Sequence, residues 1–210
     1  MSWVANNTEL IVRLTLEHIW LSAIPIAAGG ILAIPIGWLA NRFPIARGTI
    51  LSSVGILYTI PSLALFVLLP PLIGLPFLSV WNVIIALAIY AVAIMARNVT
   101  DAFQSIEPSA LRAATALGYG PWQRFFQVEL PLAGPVLLAG LRVVAVSTVS
   151  LVTVGVLVGV QSLGYFFTDG FQRRIESEIL TGVVMTMLVA ALFDVVLVGL
   201  GKLAMPWARF

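Results

Sequence analysis

Residues 48–96 contain no Asp, Glu, Lys or Arg. An uncharged stretch of that length cannot be the surface of a soluble domain, where about 25% of residues are charged. It is more than twice the roughly 20 apolar residues that cross a bilayer as a helix, and LPPLIGLPF at 69–77 supplies a turn between two such spans. Residues 19–40, also uncharged, give a span before this hairpin. Residues 134–159, with Arg142 near their start, give a fourth, and residues 179–203, which include Asp194, a fifth. The chain as a whole is 60% hydrophobic and 10% charged, with a mean hydropathy of +1.07. The expectation is an all-α polytopic membrane protein with about five transmembrane helices, forming one domain over 1–210 with no internal repeat or linker.

An odd number of spans puts the two chain ends on opposite sides, and Lys and Arg decide which side is which. With the polar stretch after span three inside, Arg42, Arg47, Arg97, Arg112, Arg124, Lys202 and Arg209 lie inside, against Arg13, Arg173 and Arg174 outside. The amino end is then expected outside and the carboxyl end in the cytoplasm. Trp20 and Trp81 fall at the outer interface, Trp38 and Trp207 at the inner one. Glu9, Arg13 and Glu17 argue for an amphipathic first segment on the membrane surface rather than a sixth span. No cleavage site of the usual kind follows, so this segment is expected to stay. Pro25, Pro35 and Pro61 inside spans should kink them. Gly29 and Gly30, like Gly134 and Gly140, suit close helix packing.

The polar stretch itself has a readable local structure. Pro108 can open a short helix over LRAATAL, and Gly118 and Gly120 can end it. Pro121 suits the first turn of a second helix, WQRFFQVEL, which Pro131 is expected to stop. Leu111, Ala114, Thr115 and Gly118 share a face of the first helix, and Trp122, Phe125, Phe126 and Glu129 a face of the second. Two short helices in an elbow over 108–131 present a surface suited to a soluble partner.

This elbow resembles the cytoplasmic loop of the membrane subunits of ATP-binding-cassette importers, which carries E-A-A, three residues, Gly, nine residues, I-x-L-P. Ala113, Ala114, Gly118, Leu130 and Pro131 fall on that pattern with its spacing, and Val128 stands where it has Ile. Arg112 stands where it has Glu, which reverses the charge at that position. The resemblance implies a type I importer (MetI-like) permease bundle with a cytoplasmic coupling helix. Leu111, Arg112, Ala113, Ala114, Leu117, Gly118, Tyr119 and Trp122 would meet the ATPase, with Val128, Leu130 and Pro131 ending the motif.

Catalysis finds no support, since paired carboxylates, a nucleophile elbow, a phosphate loop and metal-ligand spacing are all missing from the sequence. No catalytic residue, metal ligand or cofactor is expected in this chain, so ATP and Mg would be bound by a partner ATPase. The eleven cations are dispersed between spans, which disfavours nucleic acid. Asp194 lies inside a span and either takes part in solute chemistry or reaches the boundary or a cation; Arg142 either snorkels inward or pairs with Glu129. His18 is expected at the interface, and Arg97 with Asn98 as an anchor at the end of span three. Ser147, Thr148, Ser150 and Thr153 either line a passage for a polar solute or bond to backbone and neighbouring helices. Tyr58 and Tyr90 are further candidates for the passage, whereas an aromatic cage holding a quaternary ammonium by cation–π attraction would most naturally sit in a separate binding protein. The loop GVQSLGYFFTDGFQRRIESE either shapes an outer mouth or is a solvated connector.

The flanking stretches, among them LEHIWLSAIPIAAGGILAIPIGWLANR, YTIPSLALFVLLPPLIGL and ILTGVVMTMLVAALFDVVL, look most like osmoprotectant permeases for glycine betaine, choline or carnitine. That likeness implies a bacterial cytoplasmic membrane, a second permease copy or homologue, cytoplasmic ATP-binding subunits and an extracytoplasmic solute-binding protein. An amino-acid or other small-solute permease of the same importer type shares the elbow motif. A non-transporting membrane scaffold is the reading from a different class.

Overall fold

A computed structural model describes residues 2–208. The elements in chain order are α1 (Ser2–Asn6), α2 (Thr8–Arg42), α3 (Pro44–Thr59), α4 (Ser62–Ile73), α5 (Val80–Gln104), α6 (Pro108–Ala116), α7 (Pro121–Arg124), a π turn (Phe125–Glu129), α8 (Leu130–Val152), a 3-10 turn (Thr153–Val158), α9 (Tyr165–Arg173) and α10 (Glu176–Ala204). The segment α7 to the 3-10 turn and helices α2, α5 and α10 are each long and apolar enough to cross a membrane. Together α3 and α4 make a fifth candidate, bent by 103°. Four candidate spans, or five with the bent pair, therefore lie where the uncharged runs indicate.

The centre of the bundle is a close contact between α2 and α5, with α8 packed on both. Small residues make it possible. A Cβ on Gly29 would lie 2.6 Å from the Cβ of Ala91, and one on Gly37 would lie 2.5 Å from that of Val99. Ala33, between these two glycines on the same face, is fully buried. With little hydrophobic drive between helices in lipid, such backbone approach is what holds them. Gly140 meets Asn98 in the same way, at 2.8 Å, which joins α8 to α5.

Three sequence expectations change. The amino segment is amphipathic, with Ile11, Leu14 and His18 buried and Glu9 and Arg13 exposed, but it does not lie apart from span one. It is the first third of α2, a single helix about 52 Å long at 1.5 Å per residue, which outruns a ~30 Å hydrocarbon core. His18 is not interfacial. It is fully buried, with Leu163 N–H donating to Nδ1 at 3.3 Å and Nε2 facing the Val149 carbonyl at 3.0 Å. Those partners fix the neutral tautomer with the proton on Nε2, so the ring ties α2 to α8 and to the loop before α9.

The third change concerns proline. Pro25 and Pro35 stay inside a continuous α2, whereas Pro61 ends α3 and produces the 103° bend. Ile60 is held extended before it, as the pre-proline clash requires. The Tyr90 hydroxyl donates to the Ile60 carbonyl freed at the break. Pro131 does not stop the second arm of the elbow. The π turn before it shifts the bonding to i+5, Leu130 N–H to Phe125 carbonyl, and absorbs the missing amide within a helix that runs on into α8.

The ends of the bundle are distinguishable. Trp38, Arg42, Phe103 and Glu129 surround one cavity with the elbow, and Met205 packs on Gly134 at the same end. Trp20 and Trp81 meet edge to face at 6.2 Å at the opposite end. There the loop after α8 is more than a solvated connector: Phe166 and Leu163 are fully buried, and α9 packs on α10. Arg209, counted above among the inner cations, lies outside the described residues.

Candidate functional site

The elbow is built by one glycine and one arginine. α6 ends in a Schellman arrangement: Gly118 N–H donates to the Thr115 carbonyl at 3.0 Å and Tyr119 N–H to that of Ala114 at 3.1 Å. Gly118 adopts φ +83°, in the left-handed region where a Cβ is disfavoured. Pro121 then opens α7.

Arg124 fixes the angle between the arms. Its Nε donates to Glu129 Oε1 at 2.7 Å and its Nη1 to Thr115 Oγ1 at 3.3 Å. Glu129 is buried, and its other oxygen accepts from Trp38 Nε1 of α2 at 3.2 Å. One carboxylate thus joins the elbow to a membrane span. Aromatic packing runs parallel to this link: Trp122 stacks on Trp38 at 6.3 Å and on Phe126 at 6.4 Å, while Phe125 meets Trp38 at 5.5 Å and Phe103 of α5 at 5.8 Å. The elbow thus meets α2 and α5 through packed and hydrogen-bonded side chains rather than through a slack loop.

The sequence-predicted residues divide by exposure. Arg112, Ala113, Leu117, Gly118 and Trp122 face outward, whereas Ala114 is buried and Leu111 and Tyr119 are half-buried. Leu117 and Trp122 are 76% and 70% exposed, a large apolar display for two neighbouring turns. Val128 is half-buried in the π turn, and Leu130 and Pro131 are half-buried at the start of α8. Trp38, Thr115, Arg124 and Glu129 were not singled out as a cluster from sequence. Five residues apart, Arg124 and Glu129 do not face each other on an α-helix, and only the π turn brings them together.

The candidate passage residues are more scattered. Tyr58 and Tyr90 meet edge to face at 5.8 Å, with Tyr90 buried. Thr148 is buried, Ser150 is exposed, and the Thr153 hydroxyl donates to the Ser150 carbonyl at 2.6 Å. Ser147 lines an open groove of about 390 Å³ together with Arg142 and Asp194. Arg142 does not pair with Glu129. It grips Asp194 with two parallel bonds, Nε to Oδ1 at 2.5 Å and Nη2 to Oδ2 at 2.9 Å.

Residues 21–209 match the model of the family described as binding-protein-dependent transport system inner membrane component. The chain belongs to that family. It is the multi-pass membrane component of a transport system, a permease subunit rather than an enzyme. The osmoprotectant import permease protein OsmW of Salmonella typhimurium is 29% identical over 91% of this chain and 90% of its own length. The choline transport system permease protein OpuBB of Bacillus subtilis is 31% identical over 91% and 87%. Among solved structures, the MetNI methionine ABC transporter in an inward-facing form superposes with a TM-score of 0.84 at 22% identity, over 94% of this chain and 97% of the other; that likeness concerns the fold alone.

Proposed function

We propose that this permease subunit carries a compatible solute such as glycine betaine, choline or carnitine into the cell, driven by ATP hydrolysed in separate subunits. The observation that carries the reading is the relatedness, over nearly their whole length, to permeases named for osmoprotectant, choline and carnitine transport. ATP and Mg belong to two cytoplasmic ATPase subunits, which meet the exposed face of α6 and α7 at Arg112, Ala113, Leu117 and Trp122. A second copy or a homologue completes the permease, and an extracytoplasmic solute-binding protein delivers the solute at the opposite end. In this arrangement the elbow is cytoplasmic and the amino end outside, the orientation that keeps most of the positive charge inside.

The mechanism is alternating access. A nucleotide-dependent movement of the ATPases favours one of two bundle states only if they bind the elbow differently in each. The Arg124–Glu129–Trp38 link and the aromatic stack carry that bias to α2 and α5. Reconstitution with ATPase subunits and binding protein, followed by labelled glycine betaine uptake in competition with choline, carnitine and amino acids, tests the reading. Competition by quaternary amines supports it, and uptake of amino acids alone replaces it with an amino-acid permease.

A further inference from the structure

The Arg142–Asp194 pair has no role in the elbow and sits where charge is least expected. Arg142 lies about 18 Å along α8 from Leu130, and Asp194 about 15 Å along α10 from Ala204, at 1.5 Å per residue. Both stand well inside helical segments long and apolar enough to cross a membrane. Their side chains are nevertheless 43% and 34% exposed at the surface of the single chain. Guanidinium has five N–H donors. Asp194 takes two of Arg142's, and no other acceptor for them is found among the described residues. Lipid cannot satisfy the rest. Water, a solute or another polypeptide must therefore cover this groove.

We infer that the groove lined by Ala139, Arg142, Val143, Val146, Ser147 and Asp194 is a binding station on the solute path for a zwitterion, a small molecule bearing both a carboxylate and a cationic centre. Three observations converge. At about 390 Å³ the open groove is of small-molecule size. Its charged groups are a matched pair, and a bidentate guanidinium is the usual partner of a carboxylate. Ser147 adds a hydroxyl beside them. A solute carboxylate displaces Asp194 from Arg142 while the solute cation takes Asp194 as its counter-ion. One ion pair becomes two, and neither protein charge is left bare. With the groove empty the side chains close on each other. A cation without a carboxylate leaves Arg142 unpaired, so the station selects for zwitterions. The inference rests on the transport reading above but holds for betaines and amino acids alike.

The chain has no cysteine, so an introduced cysteine is its only thiol and its labelling is read on this chain. In proteoliposomes holding the full complex, Ser147→Cys is expected to react with a membrane-impermeant methanethiosulfonate in at least one nucleotide state. Val195→Cys, next to Asp194 but outside the groove and 69% exposed, is expected to stay unlabelled. The transported zwitterion from a panel of glycine betaine, carnitine and proline should slow labelling of Ser147→Cys at least tenfold, and choline should not. In the Arg142→Gln, Asp194→Asn background, labelling should persist and this protection should vanish. Absence of labelling in every state, equal protection by choline, protection that survives the double substitution, or a wild-type complex that carries none of the panel each overturns the station. Uptake and protection by proline without any quaternary amine uptake would refute the osmoprotectant reading and leave the station standing.

Discussion

Arg124 and Glu129 form an ion pair at 2.7 Å across the one π turn of the described residues. Because Glu129 also accepts from Trp38 of α2 at 3.2 Å, this pair ties the elbow to the membrane bundle. Glu129→Ala removes both bonds and leaves Arg124, which is mostly shielded, without its partner. A charged hydrogen bond is worth about 1.5–3 kcal/mol, so a fall in thermal stability of that order is expected. Alongside it, ATP hydrolysis by the complex should persist while uptake per ATP falls at least tenfold, measured by paired ATPase and uptake assays.

Gly118 sets the turn between the arms at φ +83°. Gly118→Ala should cost about 1–2 kcal/mol for the left-handed backbone. Gly118→Pro cannot adopt that angle and also deletes the N–H bonded to Thr115. Both variants are expected to insert into the membrane. The proline variant, like deletion of 111–122, should hydrolyse ATP without coupled uptake, with the alanine variant intermediate; equal coupling in all of them would show that the turn does not position the elbow.

Arg112 is exposed on α6 and carries the charge opposite to the Glu of the importer motif. Its own ATPase should therefore offer an acidic side chain there. Arg112→Glu is expected to weaken ATPase association severalfold in a pull-down titration at low salt, with the loss shrinking as salt rises. A compensating Lys substitution on the ATPase should restore binding.

The contact of α2 with α5 leaves no room at Gly37, where an added Cβ would lie 2.5 Å from Val99. Gly37→Val overpacks this seam, an error that costs about 1–3 kcal/mol or more. A lower unfolding midpoint in detergent is expected, with Gly48→Val, at a position open to solvent or lipid, as the neutral control.

Much of the fold was legible because a membrane span is a long signal. The uncharged run at 48–96 and the apolar run at 179–203 needed only counting, and Gly118 with Pro121 marked the elbow through backbone angles that few residues share. The misreadings have a common cause in tertiary context. Pro131 looked like a stop because its missing amide breaks an α-helix, yet a π turn accommodates it. His18 looked interfacial from its neighbours in sequence, while its ring bonds to Val149 and Leu163, far along the chain. Arg142 and Asp194 were each visible as odd charges. Their pairing across α8 and α10 was not, because no local periodicity encodes which helices become neighbours.

The most direct test of the coupling account is ATP-driven uptake of labelled glycine betaine by proteoliposomes holding this chain, its ATPase subunits and the solute-binding protein, with the elbow intact or carrying Glu129→Ala. The expected result is uptake that requires ATP, the binding protein and an intact elbow, competed by carnitine. Uptake that continued with an inactivated ATPase, or at full efficiency per ATP with Glu129→Ala, would contradict it.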